Sequence, residues 1–265
     1  MSAIRAVTFD LWETLIHDSP ALGNERSQLR VVRLTEALRA LEQAIDVADV
    51  QRAYDASMAE YDAVWRDYRD LSTRQQLEIL AGLIGEQIAA ALDEAGWEAV
   101  ERAYVDPIHE RPPTLSPHAL PVLDWLRERG YRLGLISNTG RTPGTAMRQV
   151  LADYGLLDRF DVTIFSNEEG LLKPRRELFD RAASRLGVPN EAVVHVGDNP
   201  VADVAGAKAA GMRAILLGTL PAAVAPDARI ATLAELPAQL EQWGAPPASA
   251  ASQEVSWRKR PPSTM

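Results

Sequence analysis

Residues 4–15 read Ile4-Arg5-Ala6-Val7-Thr8-Phe9-Asp10-Leu11-Trp12-Glu13-Thr14-Leu15. The first half is a short, nearly continuous apolar run with β-branched and aromatic members. That pattern predicts a strand buried on both faces over residues 4–10. The strand delivers a carboxylate, Asp10, to its carboxyl end, and in open parallel α/β sheets chemistry gathers at those ends. One aspartate there is weak ground, because Asp also caps strands and opens turns.

Three later segments repeat the arrangement. Leu133-Gly134-Leu135-Ile136 ends in Ser137-Asn138-Thr139. Gly170-Leu171-Leu172 runs into Lys173-Pro174. Val193-Val194-His195-Val196 ends in Gly197-Asp198-Asn199, with Asp203 five residues beyond Asp198. From residue 116 onward, helical and strand patterns alternate. Helices are predicted over 116–129 (Ser116 as N-cap, Pro117 in the first turn, Gly130 as the stop), 145–154, 177–186 (closed by Gly187) and 201–210. Strands are predicted over 131–136, 162–165, 193–196 and 214–217. This alternation specifies an α/β fold, a doubly wound parallel sheet covered on both faces.

Residues 24–106 differ in character. Leu29, Val32, Leu34, Leu38 and Leu41 recur at helical spacing, as do Tyr54, Met58, Tyr61 and Trp65, and then Leu77, Leu80, Leu83 and Ile84. Roughly 80 helical residues directly after the first strand are too many for an ordinary crossover. The chain therefore divides into residues 1–18 (core, first part), 19–112 (a small all-α domain), 113–244 (core, second part) and 245–265. The last is a Pro/Ala/Ser-rich tail expected to be disordered, with a short basic run at Arg258-Lys259-Arg260.

Composition narrows the function. The 265 residues carry a net charge of −9, which argues against a nucleic-acid-binding surface. There are no cysteines, so thiolate metal sites, disulfides and Cys nucleophiles are excluded. No apolar run approaches membrane-spanning length and no charged-then-apolar leader precedes the first strand, so a cytoplasmic protein with no membrane partner is expected.

Taken in order, the four motifs resemble those of the haloacid dehalogenase-like (HAD) hydrolase superfamily: a nucleophilic Asp, a Ser/Thr, a Lys and a paired acidic motif. The resemblance covers roughly residues 4–220. It implies a Rossmann-like core with a helical cap inserted after the first strand, and an aspartyl-phosphate formed on Asp10. It further implies Ser137 and the amide of Asn138 as donors to the phosphoryl oxygens, with Lys173 as the neutralising cation. Mg²⁺ would be held by Asp10, Asp198, Asp203 and the backbone carbonyl of Trp12. Hard carboxylate oxygens suit Mg²⁺, which binds through only one or two carboxylates and keeps several waters. Asp203 would hold a metal-bound water or orient Asp198 and Lys173, and Thr14 would orient Asp10. An enclosed site of this kind fits a small phosphorylated substrate. The cap is one surface through which copies of the chain could pair, but the sequence leaves oligomeric state open.

Two positions depart from the resemblance. Most phosphatases of the superfamily carry a second Asp two residues after the nucleophile, as proton donor to the leaving group; here that position is Trp12. The usual Gly before Thr14 is Glu13. Three readings follow. A phosphatase or phosphotransferase is favoured, with the proton coming from a cap residue, Glu13, His17 or solvent, or not needed for a good leaving group. A 2-haloacid dehalogenase is second: those enzymes carry an aromatic residue, Tyr, at this slot, and Arg26, Arg30 or Arg33 would supply a halide-binding cation. Those arginines otherwise read as the polar face of an amphipathic helix. A non-catalytic binding module is third. Tyr61, Trp65 and Tyr68 are candidates to line the cleft or to pack the cap, and Arg141 is either a contact for a second anionic group or an ordinary surface residue.

Overall fold

The computed structural model describes residues 3–41 and 45–244; the predicted disordered tail lies outside the described residues. Six parallel strands form one sheet: β1 (Ala6–Phe9), β4 (Arg132–Ser137), β5 (Val162–Phe165), β6 (Val193–Gly197), β7 (Arg213–Leu217) and β8 (Ala228–Ile230). Their order is β5-β4-β1-β6-β7-β8. β2 (Ile16–His17) and β3 (Thr114–Leu115) form a separate antiparallel pair. The chain leaves β1 for β4 and β5 on one side and then returns to β6, β7 and β8 on the other. β1 is thus the switch point, where the crevice of such a sheet opens.

The alternation of side chains along β1 splits the core in two. Val7 and Phe9 face one apolar cluster with helices α7 (Ala119–Glu128), α8 (Gly144–Asp153) and α12 (Leu236–Gln242). Ala6 faces the other, built on α10 (Arg176–Leu186) through Leu178, Phe179, Ala182, Ala183 and Leu186. Thr8 and Asp10 share the parity of Ala6, so both fall on the α10 side.

Between β2 and β3 run α1 (Pro20–Ala40), α2 (Val47–Trp65), α3 (Thr73–Ile84), α4 (Glu86–Ala91), α5 (Glu94–Val105) and α6 (Pro107–Glu110). The first five enclose their own apolar cluster around Val31, Leu34, Leu38, Tyr54, Leu77, Leu80, Trp97 and Tyr104. Ser19, Asp46, Ser72 and Asp93 cap α1, α2, α3 and α5 through their side chains.

The predicted Ser116 cap is not formed: α7 starts at Ala119 after a turn in which Ala119 N donates to Ser116 O at 3.1 Å. The helix predicted over 201–210 is instead a wide π-type turn at Pro200–Ala205, followed by the short α11 (Gly206–Ala209). Asn199 bonds the amides of Val201 and Ala202 at 2.9 Å, and Asp203 N and Val204 N both reach Asn199 O. π-turns recur at functional sites because the extra residue re-aims a side chain; here that residue set includes Asp203. β8 and α12 complete the sheet edge beyond the predicted elements. Among the described residues no helix is long and apolar enough to cross a membrane.

The helical insert grips the carboxyl end of the sheet at two places. Residues 139–142, just after β4, are held by Arg30 Nη2 to Thr142 Oγ1 (2.9 Å) and Gln76 Nε2 to Gly140 O (2.9 Å). Arg141 also reaches Tyr54 O and Ser57 Oγ, both at 3.0 Å. Residues 68–70 pair with 170–172: Asp70 N donates to Gly170 O (3.1 Å) and Leu172 N to Tyr68 O (2.9 Å). The buried Asp70 carboxylate accepts from Trp65 Nε1 and Leu71 N at 2.8 Å and from Thr139 Oγ1 at 3.4 Å. Replacing it with Ala strands these donors. Asp70→Ala is expected to lower unfolding free energy by about 1–3 kcal/mol, and Asp70→Asn by less, in urea denaturation. Equal stability of all three proteins would show that the clasp contributes nothing.

Candidate active site

Asp10 extends the β1 ladder by one residue, its amide donating to Val196 O at 2.9 Å. The chain then turns sharply, with the amides of Thr14, Leu15 and Ile16 all converging on Leu11 O at 3.4, 2.9 and 3.1 Å. This turn needs a left-handed residue, and Glu13 supplies it at φ 57°. Glycine adopts that conformation without strain, which accounts physically for the residue the resemblance leads one to expect there. The turn brings Thr14 Oγ1 to 3.4 Å from Asp10 Oδ2.

Lys173 is buried, and its Nζ lies 2.5 Å from Asp10 Oδ1 and 2.7 Å from Asp203 Oδ1. Its backbone is fixed by Asn138, whose Oδ1 accepts from Lys173 N (2.9 Å) and whose Nδ2 donates to Lys173 O (3.3 Å). The Asn138 side chain therefore binds the adjoining loop, a role that sequence reading did not assign to it. Ser137 is fully buried at the end of β4; its Oγ approaches Asn138 O at 3.4 Å.

Asp203 is satisfied on both oxygens: Oδ1 by Lys173 and by His195 Nε2 (3.2 Å), Oδ2 by Asn199 N (2.9 Å). Its carboxylate lies across Gly197, where an added Cβ would sit 2.3 Å from Asp203 Cγ. Glycine is thus required for this approach. Asp10, Asp198 and Asp203 each offer an oxygen within 4.8 Å of the other two.

Three carboxylates around one ammonium leave a negative surplus at this end of the sheet. Burial, reinforced by the Asp203 charge and opposed by Lys173, pushes Asp10 up to about 7. Burial and Asp203 push Asp198 up to about 6. Asp203 goes the other way: burial would raise it, but Lys173 and His195 hold it below the ordinary carboxylate range. Burial depresses Lys173, yet its two carboxylates outweigh that and raise it, so the ammonium persists. Hard oxygens with unbalanced negative charge are the donor set that a divalent cation such as Mg²⁺ fits.

The Trp12 side chain and the remaining candidates make other contacts. Trp12 is half-buried against the β1 apolar cluster. Glu13 and His17 are exposed and face each other at 3.3 Å, with Glu13 Oε1 also accepting from Asp18 N at 3.0 Å. The solvated-face reading fails for Arg26 and Arg30, both buried. Arg26 pairs with Asp18 and bonds Arg111 O, and Arg30 bonds Tyr104 O and Thr142. Arg33 is exposed and pairs with Glu110 at 2.9 Å. Arg141 is half-buried between the rings of Tyr54 and Tyr61, at 4.2 and 4.8 Å. Tyr61 is buried in the insert, whereas Tyr68 is exposed.

Comparison with known proteins agrees with this geometry. The family model described as haloacid dehalogenase-like hydrolase matches residues 4–211. A glyceraldehyde 3-phosphate phosphatase of Methanopyrus kandleri is 32% identical over 211 residues, covering 79% of this chain and 82% of its own. A phosphoserine phosphatase of Thermus thermophilus is 34% identical, covering 66% and 72%. The crystal structure of a 2-haloacid dehalogenase from Pseudomonas syringae superposes with a TM-score of 0.69 at 26% identity, covering 91% of this chain and 99% of that one. The ordered motifs, the parallel sheet with its switch point at β1 and these relatives converge: the chain belongs to the haloacid dehalogenase-like hydrolases.

Proposed function

We propose that the protein is a Mg²⁺-dependent phosphatase acting on small phosphorylated metabolites through an aspartyl-phosphate at Asp10. The observation that carries this reading is the Lys173 ammonium wedged between Asp10 and Asp203 beside Asp198. Similarity to phosphatases of glyceraldehyde 3-phosphate and phosphoserine supports a small phosphorylated substrate.

An Asp10 oxygen attacks phosphorus as the ester P–O bond breaks and the alcohol leaves. Water then cleaves the acyl phosphate, returning the carboxylate and inorganic phosphate. Phosphoryl transfer asks the protein mainly for positioning and charge stabilisation. Lys173 supplies positive charge, while Ser137 Oγ and the Asn138 amide donate to the phosphoryl oxygens. Asp10, Asp198 and the Trp12 carbonyl would hold Mg²⁺, with Asp203 orienting Asp198 and Lys173. Bound Mg²⁺ polarises and neutralises the transferring phosphoryl group. Residues 19–112 serve as a cap that excludes water and selects the substrate; their grip on residues 139–142 and 170–172 supports this.

Trp12 transfers no proton, so the proton comes from a cap residue or solvent, or is not needed because the leaving group is good, as in an aryl or acyl phosphate. A dehalogenase is the second reading, favoured by the aromatic Trp12 and by the Pseudomonas structure. Asp198 in the acidic trio counts against it, because a further carboxylate opposes a departing halide. Metal-independent chloride release from 2-chloropropionate, without phosphate release from a phosphomonoester panel, would establish that second reading.

Asp198→Asn is expected to reduce Mg²⁺-dependent phosphate release at least roughly 100-fold, the scale of losing a charge-stabilising group. Unchanged turnover would remove Asp198 from the metal site. Trp12→Asp is expected to speed hydrolysis of alkyl phosphates by about 10²-fold and to leave aryl phosphates nearly unchanged, in steady-state kinetics.

The raised carboxylates give a pH signature. Asp10 and Asp198 hold protons in the fold, at about 7 and about 6, that the unfolded chain releases near 3.8. Their contribution to stability is complete below the unfolded value and is lost as pH rises through the folded values. A cation reverses that loss by favouring the ionised forms. Mg²⁺ is therefore expected to raise the thermal midpoint more at about pH 8 than at about pH 5, against EDTA controls. An increment that does not grow with pH would contradict this.

A further inference from the structure

His195 is a buried titratable group for which the proposed chemistry has no use. It occupies the middle of β6, opposite Thr8 of β1, on the sheet face that carries Asp10 and α10. The ring is fully buried. Its Nδ1 lies 2.9 Å from Thr8 Oγ1 and its Nε2 lies 3.2 Å from Asp203 Oδ1, while Phe179 meets it edge-on at 5.1 Å and 90°. A polar ring in an otherwise apolar layer is tolerated only when both nitrogens are satisfied.

The contacts require a proton on Nε2. Asp203 Oδ1 also takes Lys173 Nζ, which can only donate, so that oxygen is an acceptor. Nε2 must then carry hydrogen and donate to Asp203. In the neutral ring Nδ1 is then bare and accepts the Thr8 hydroxyl.

Asp203 thus has three donors arriving from three elements: Lys173 from the loop before α10, His195 from β6 and Asn199 N from the turn after β6. Without the imidazole, Oδ1 would be held by Lys173 alone. The carboxylate would gain basicity and freedom, and it would draw Lys173 away from Asp10. We propose that His195 is a positioning residue: as the Nε2–H tautomer, braced by Thr8, it fixes Asp203 and through it the placement of Lys173 against Asp10. Only the kinetic arm of the test rests on the phosphatase reading; the spectroscopic arm does not.

The experiment is ¹⁵N NMR of the histidine-labelled full chain, with steady-state kinetics of His195→Phe, His195→Gln and Thr8→Val. The His195 ring is expected to show a protonated Nε2 and a bare Nδ1. His195→Phe keeps an aromatic ring and removes the donor; kcat is expected to fall roughly 10–100-fold with KM nearly unchanged, the scale for loss of an outer-shell partner. Gln places an amide N–H at the reach of Nε2 and is expected to restore kcat to within about 5-fold of wild type, at unchanged unfolding midpoint. Thr8→Val conserves volume, removes the brace, and is expected to shift the His195 nitrogen signals and lower kcat with KM unchanged. A proton on Nδ1, a fully protonated ring, or His195→Phe turning over like wild type would overturn the proposal, as would Gln failing as completely as Phe. If His195→Phe does not fold, the tautomer and the Thr8→Val response decide. A wild-type protein with no phosphate release would sink the phosphatase reading and leave those same two measurements to judge His195.

Discussion

The short contacts from the Lys173 ammonium to Asp10 and Asp203 are the constraint around which the core is arranged. A buried ammonium needs partners, and buried carboxylates need a counter-charge. The two carboxylates are treated unequally. Asp203 receives three donors and is held ionised; Asp10 receives Lys173, a backbone contact from Leu11 and one long contact from Thr14, and burial pushes it up to about 7. The less satisfied oxygen is the one at the open end of β1. Poor satisfaction makes a carboxylate costly to ionise without a cation, and available for bonding once one neutralises the pocket.

Holding that ammonium in place recruits distant parts of the chain. Asn138 clamps the Lys173 backbone on both sides, and the insert's residues 68–70 pair with the three residues that precede it. Asp70 then ties the same segment of the insert to Thr139, the neighbour of Asn138. The loop of β4, the loop carrying Lys173 and the insert are therefore one hydrogen-bonded unit. A shift of the insert relative to the sheet would be transmitted toward Lys173 through these bonds.

Much of this was legible in the sequence, and the reasons for the rest are physical. The parallel strands were readable because burial on both faces forces apolar runs, and because polar residues at their carboxyl ends recur in one order from Asp10 to Asp203. The helices between β2 and β3 were readable from their period. Local pattern does not register partners set by tertiary contact. Arg26 and Arg30 sit on helix α1 like solvent-facing arginines, yet their partners Arg111 and Thr142 lie 85 and 112 positions away. His195 looked like part of an apolar strand because the residue that explains it, Thr8, is 187 positions away on the neighbouring strand. The Asn138 side chain faces a loop whose position no spacing rule predicts. The π-type turn at Pro200–Ala205 keeps helical composition while changing its winding, so periodicity alone could not mark it.

The replacement of a second aspartate by Trp12 bears on which esters the site can cleave. An aspartate there would add a further negative charge to a pocket that already holds three carboxylates around one ammonium. Trp12 leaves that charge out and places an apolar ring against the β1 cluster. The exposed Glu13 and His17 face each other beside the entrance strand pair, and Glu13 is also committed to the Asp18 amide, so neither projects as a buried proton donor. Alcohols with low pKa leave as anions at little cost, whereas alkoxides do not, and general acid catalysis is worth about 10²–10⁴-fold in such steps. The side chain at position 12 is thus one that cannot itself transfer a proton.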